Sequence, residues 1–154
     1  KWISQYSIVF SIISSAIGFG LGSSLQTTLL IGDMAFIHDI NSLHLLKKYK
    51  ININIVLINN NGGGIFHFLP INDHKEIFED YFAIPHYFEF SHIAKSFDIR
   101  YFRPKTKKEF IDFYVASLKD KGPSIIETKT DRKHDFNLRR KIKKEIIDKI
   151  SRIS

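Results

Sequence analysis

Two periods alternate along this chain. Residues 11–22 are apolar and small, with Ser, Ala and Gly interleaved, and read as a helix whose surface lets another backbone come close. Residues 25–31 are an apolar, β-prone run and read as a buried strand ending at Gly32-Asp33. Residues 35–49 return to helical spacing, with Phe36, Ile40, Leu43 and Leu46 on one face. Lys47 and Lys48 in the last turn of that segment complement the helix dipole. Residues 53–58 alternate at first and then run continuously apolar, the pattern of a strand buried in a parallel sheet.

Residues 59–73 read as a loop, given three consecutive glycines and then Pro70. A short helix is expected over 74–82, and Pro85 interrupts the chain. A further helix is expected over 91–97 with Ser91 as its N-cap, then a short strand over 99–102. Residues 106–118 are amphipathic and open on a capping box, Thr106 to Glu109. Gly122-Pro123 precedes a strand over 124–128. A terminal helix over 135–150 carries Ile142, Ile146 and Ile150 in register. Helix and strand alternate strictly, which predicts an α/β fold: a parallel sheet with helices on both faces. No repeat, linker or second domain is evident, so residues 1–154 read as a single domain.

Composition narrows the picture. With 154 residues, 44% hydrophobic and 14 phenylalanines, the chain can build a real core. It has no cysteine, which excludes disulfides, zinc–thiolate sites and thiol catalysis. The net charge of +7 is unevenly spread. Basic residues crowd into 131–152, where a solvated helix face is a better account than a nucleic-acid or anionic-membrane patch. No charge occurs from Trp2 to Gly32. The apolar part of that stretch falls short of the roughly 20 residues a membrane span needs. Only Lys1 stands ahead of it, a thin n-region for a signal peptide, so a buried helix is expected. Neither a membrane nor a nucleic acid is expected as a partner.

The chemistry concentrates at two places. Gly32-Asp33 follows the first apolar strand, and Asn59-Asn60-Asn61-Gly62-Gly63-Gly64 follows the second, with 27 positions from Asp33 to Asn60. A strand, a crossover helix and a parallel strand bring both clusters to one sheet edge. Open α/β sheets bind ligands outside the carboxyl ends of their strands. Asp33 offers a carboxylate, Asn60 a carboxamide oxygen and Gly62 an unshielded backbone carbonyl. Mg²⁺ takes six oxygens, so water and ligand phosphates would complete this set. The amides of Met34 and Ala35 open a helix and suit a diphosphate. Taken singly, Asp33 is a helix cap and Asn-Gly-Gly a turn; the pair at this spacing favours a site. Ile65 and Phe66 either wall a cofactor pocket or pack within their loop. The seven histidines form no metal-binding spacing, and His67 alone lies in the glycine loop. Nucleophile-elbow, P-loop and dinucleotide glycine motifs are lacking.

Gly32-Asp33 followed by Asn59-Asn60 resembles the thiamine-diphosphate motif. GDMAFIHDINSLHLL, then VLINNNGGGIFHFLP, FEFSHIAKSFDIRYFRP and TDRKHDFNLRRKI, resemble the MenD family of succinyl-enolpyruvyl-hydroxycyclohexene-carboxylate synthases. Met34 in place of a final glycine is in keeping, since that family has an apolar residue there. The likeness runs from about residue 14 to 142 and covers only the last of the family's three domains, the one that binds the diphosphate.

The resemblance implies that Asp33, Asn60 and the Gly62 carbonyl hold Mg²⁺ (or Mn²⁺). It implies that Gly32, Met34 and Ala35 lie against thiamine diphosphate, and that Ile65 and Phe66 line the pocket. It further implies decarboxylation of 2-oxoglutarate and addition of the product to isochorismate, in menaquinone or phylloquinone biosynthesis. The family's activating glutamate lies in its first domain, so no catalytic residue is assigned in this chain. A site would need the pyrimidine-binding domain of another chain in a homo- or hetero-oligomer, in bacterial cytosol or plastid stroma. One departure stands out. The family's Arg-Gly-x-Ser-Gly-Ile-Asp-Gly run corresponds here to SQYSIVFS at 4–11, with Ser4 near the substrate arginine and Phe10 near the acidic position. A fragment or one subunit of such an enzyme, another thiamine-diphosphate carboligase or decarboxylase, and an inactive remnant are the readings this leaves.

Overall fold

The computed structural model describes residues 11–23 and 25–151, so Ser4 and Phe10 lie outside the described residues. The backbone contacts fall into two compact units. One comprises Lys1–Asn59 with Glu89–Thr128, the other Asn60–Phe88 with Lys129–Ser154.

The first unit is built on a sheet of four strands: β1 (Thr27–Gly32), β2 (Ile53–Asn59), β3 (Arg100–Phe102) and β4 (Ser124–Lys129), in the order β1-β2-β4-β3. β1 and β2 pair in parallel from Thr27 beside Ile53 to Gly32 beside Ile58, and β3 and β4 pair in parallel as well. Asn54 meets Ser124 and Asn59 meets Glu127, so β2 and β4 also run the same way. The fold is the expected α/β arrangement with a parallel sheet.

One face of the sheet carries the core. Ile31, Ile53, Ile55, Leu57 and Ile125 pack there with Ile13, Ala16 and Ile17 of α1 (Ile12–Ser23) and Phe36 of α2 (Asp33–His38). Leu43 and Leu46 of α3 (Leu43–Tyr49) join them. So do Phe90 and Ala94 of α5 (Phe90–Ser96), Phe90 meeting Phe36 edge to face at 5.4 Å. On the other face α6 (Lys107–Lys119) lies across β2, buries Ser117 and pairs its Tyr114 hydroxyl with that of Thr28 at 3.0 Å. α1 approaches closely at Gly20, where a Cβ would sit 3.1 Å from the Thr27 hydroxyl oxygen.

Several elements differ from the pattern. β1 is an edge strand rather than a buried one: Thr27 and Ile31 face the core, while Leu25 and Leu30 are exposed. An edge strand covered on one side buries alternate residues only. The helix expected over 35–49 is two helices joined by a 3₁₀ turn, Ile40–Ser42. Buried Asp39 causes the break. Its carboxylate accepts the Ile13 and Ser14 amides, at 2.6 and 3.2 Å, and the Ser42 hydroxyl. It therefore caps α1, satisfying amides that a helix start leaves without intrahelical partners. α5 begins at Phe90, with Glu89 rather than Ser91 at the N-cap and no side-chain cap. Thr106 does cap α6, accepting from the Glu109 amide at 3.1 Å, but Glu109 returns its bond to the Lys105 amide at 2.7 Å, one residue early.

The second unit holds the glycine loop. Two 3₁₀ turns, Gly64–Phe68 and Pro70–Asp73, lead into α4 (Lys75–Phe78), which continues as a π turn, Glu79–Ala83. Ile84 then ends the π turn in left-handed backbone, φ 45°, its amide donating to the Glu79 carbonyl at 2.8 Å. α7 (Arg132–Ile150) starts three residues earlier than the apolar spacing indicates. Asp131 caps it, accepting from the His134 amide at 2.7 Å. Ile142, Ile146 and Ile150 are in register but remain exposed within this unit.

Replacing Asp39 by Ala leaves two α1 amides and the Ser42 hydroxyl without their acceptor. The expected loss is about 1–3 kcal/mol in urea unfolding, and a variant as stable as the parent would show that α1 is capped by other means.

Candidate functional site

The parallel register of β1 and β2 sets Gly32 beside Ile58, so the chain leaves both strands at the same end. From β1 it enters α2 directly. Gly32 is exposed, Asp33 is buried, and Met34 and Ala35 are half-buried, with Ala35 against the core. The Asp33 carboxylate accepts the Met34 amide at 2.8 Å.

From β2 the chain leaves through Asn59, whose position is fixed by a buried network. Its carboxamide donates to one Glu127 carboxylate oxygen at 2.7 Å, and the Tyr101 hydroxyl donates to the other. Glu127 is 1% exposed. Burial and the bond to Glu127 push the Tyr101 phenol well above its ordinary range. Sequence reading did not single out Glu127 or Tyr101, since neither lies in a motif; the signal was a carboxylate inside an otherwise apolar strand, SIIETK.

The second unit gathers Asn60, Gly62, Ile65 and Phe66 into one loop. Gly62, expected to be unshielded, is buried with φ +131°. A Cβ there would lie 2.1 Å from the Ala83 carbonyl oxygen, one on Gly63 2.3 Å from that of Phe82, and one on Gly64 2.6 Å from the Asn60 carboxamide nitrogen. Three glycines are needed because the loop is pressed on the π turn and on Asn60. The Gly63 amide donates to Ala83 at 2.6 Å, and the Gly64 amide to the Gly62 carbonyl at 2.9 Å. The Asn60 side-chain oxygen is buried without a hydrogen-bond partner. Ile65 is 73% exposed, whereas Phe66 packs edge to face on Phe82 at 5.8 Å. His67 is buried between Phe78 and Phe136, at ring distances of 4.7 and 5.8 Å. Burial, with the nearby Arg132 guanidinium, lowers its pKa from 6.5.

Comparison with known proteins decides the family. The sequence model of the thiamine pyrophosphate enzyme C-terminal TPP-binding domain matches residues 1–128. The chain belongs to this family. It is 43% identical over 141 residues to the 2-succinyl-5-enolpyruvyl-6-hydroxy-3-cyclohexene-1-carboxylate synthase of Prosthecochloris aestuarii, covering 92% of this chain and 24% of that protein. It is 44% identical over 129 residues to the synthase of the same name from Chlorobium luteolum, covering 84% and 22%. Its fold is similar to that of a thiamine diphosphate-dependent 4-hydroxybenzoylformate decarboxylase from Rhodococcus jostii RHA1, with a TM-score of 0.68 and 25% identity over 76% of this chain and 22% of that one. The chain thus spans about a quarter of the length of the relatives it matches.

The TPP-binding domain presents donors suited to its family's cofactor and divalent metal. A buried, unpartnered carboxamide oxygen at Asn60 carries a desolvation penalty that a hard cation would relieve. Among the described residues no group of three or more His, Cys, Asp or Glu side chains able to hold a metal ion occurs.

Two outcomes follow for this domain. Gly62→Ala adds about 1–3 kcal/mol of backbone strain to a clash, and its urea midpoint should fall well below that of Gly18→Ala, where nothing lies within 4 Å of the new methyl. Equal midpoints would contradict the close approach. For His67 the folded value lies below the unfolded 6.5, so protons bind the unfolded chain first. Stability should fall as pH drops through 6.5, and His67→Phe should flatten that dependence; an unchanged pH profile would remove His67 as its source.

Proposed function

We propose that this chain is the Mg²⁺- and thiamine-diphosphate-binding part of a 2-succinyl-5-enolpyruvyl-6-hydroxy-3-cyclohexene-1-carboxylate synthase, present as a fragment or as one subunit. In this reading the enzyme is a transferase that decarboxylates 2-oxoglutarate and adds the product to isochorismate, on the way to menaquinone or phylloquinone. The observation that carries it is the buried, unpartnered Asn60 oxygen within NNNGGGIF, in a chain with this degree of likeness to such synthases.

Asp33, the Asn60 oxygen and the Gly62 carbonyl hold Mg²⁺, or Mn²⁺ in its place. Gly32, lacking a side chain, and the backbone at Met34 and Ala35 leave room for the diphosphate. Ile65 and Phe66 form the apolar wall: Phe66 is anchored on Phe82, and exposed Ile65 is left to cover reactants and exclude water. Thiamine diphosphate, when bound, supplies the reactive carbon at which a 2-oxo acid loses CO₂. No residue of this chain is assigned proton transfer. That falls to a glutamate on the pyrimidine-binding domain of another chain, in a homo- or hetero-oligomer. No helix among the described residues is long and apolar enough to cross a membrane. A place in bacterial cytosol or plastid stroma is supported in this reading by the likeness to the synthases. A thiamine-diphosphate decarboxylase or carboligase with another acceptor is the second reading, favoured by the likeness to the Rhodococcus enzyme's fold.

Calorimetric titration with thiamine diphosphate tests the proposal. Binding should require Mg²⁺ and be lost in Asp33→Ala and in Asn60→Ala. Metal-independent binding, or full affinity in either variant, would defeat the metal assignment. The 154-residue chain alone should release no CO₂ from 2-oxoglutarate; measurable turnover would show that it needs no outside glutamate.

A further inference from the structure

We infer that Glu127 is a positioning residue for the metal-binding loop, acting through Asn59; the inference rests on the assignment of Asn60 to the metal. Glu127 is buried, and its two carboxylate oxygens are taken by two neutral donors, the Asn59 carboxamide and the Tyr101 hydroxyl. Burying a carboxylate between neutral donors is costly, and an apolar side chain would suit the strand better for stability alone. What the arrangement provides is directional. β4 and β3 grip the last residue of β2 from the side, at the peptide that leads into Asn60. The Asn59 side chain is tied to Glu127, and the oxygen of Asn60, the next residue, stays buried and unpartnered. Groups hydrogen-bonded to a metal ligand commonly set its orientation, and their loss costs about 10–100-fold in metal affinity; Glu127 acts one residue further back, through Asn59.

The same two strands supply an internal control. Near the start of β2, Asn54 accepts from the Ser124 hydroxyl at 2.7 Å, also buried. Ser124→Ala removes a cross-strand bond between β2 and β4 away from the loop.

The experiment compares the parent chain with Glu127→Ala, Glu127→Gln and Ser124→Ala. Two readouts are used: Mg²⁺-dependent thiamine diphosphate affinity by calorimetry, and amide hydrogen exchange at Asn59 and Asn60 in metal-free protein. Glu127→Ala should weaken binding about 10–100-fold and speed exchange at Asn59 and Asn60. Glu127→Gln keeps an acceptor for Asn59 and should return both readouts close to the parent. Ser124→Ala should change neither. Parental affinity in Glu127→Ala, or an equal loss in Ser124→Ala, would overturn the inference by reducing it to general stability. If the parent itself fails to bind, the functional reading has failed, and exchange decides alone: unchanged rates at Asn59 and Asn60 in Glu127→Ala overturn the positioning role, and faster rates rescued by Gln support it.

Discussion

The structure depends on the parallel pairing of β1 with β2. Parallel strands need a crossover, and the crossover through α2 and α3 packs Phe36, Leu43 and Leu46 onto the same face as Ile31, Ile55 and Leu57. Burial of that face fixes the register, because a slip by one residue would turn Ile55 and Leu57 away from the core. Register in turn fixes direction: with Gly32 beside Ile58, the segments after β1 and β2 both start from the carboxyl end of the sheet.

Polar burial follows from the same layout. Asp39 interrupts what would be one long crossover helix, and the interruption is used: its carboxylate holds the start of α1 against the unit. Glu127 and Asn59 do the equivalent between β4 and the end of β2. In each case a charged group that would weaken an apolar core joins two elements that hydrophobic packing alone would let slide. The glycine loop works by contact rather than by freedom, since Gly62 and Gly63 are where two backbones meet without side chains between them.

Much of this was legible in the chain. The strands at 53–58 and 124–128, the helix at 106–118 and the two clusters at Asp33 and Asn60 carry local signals: period, caps and small residues. What was not legible depends on partners distant in sequence. Nothing near Asp39 shows that residues 13 and 14 need an acceptor, so the helix over 35–49 read as unbroken. Leu30 has the composition of a buried residue and is exposed because β1 lies at the sheet's edge. Gly62 read as an open turn because Ala83, which closes over it, is twenty-one residues away. Thr106, by contrast, caps the helix that directly follows it, and a residue this close is one a sequence exposes; Asp131 caps α7 in the same local way, although the apolar spacing alone starts that helix at 135.

The order of the strands bears on how the chain reaches this state. β1 meets β2 across 26 residues, counting from Thr27 to Ile53, whereas Asn59 meets Glu127 across 68. The second unit's Asn60–Phe88 segment lies within that longer interval. Contacts between distant residues must meet the entropy of loop closure before they contribute, so sequence-local pairings tend to form first. The β1–α2–α3–β2 half has the more local topology, and the clamp on Asn59 belongs to the longer closure. On that ordering, the grip on Asn59 ahead of the glycine loop is among the final contacts made and among the first released when the protein opens.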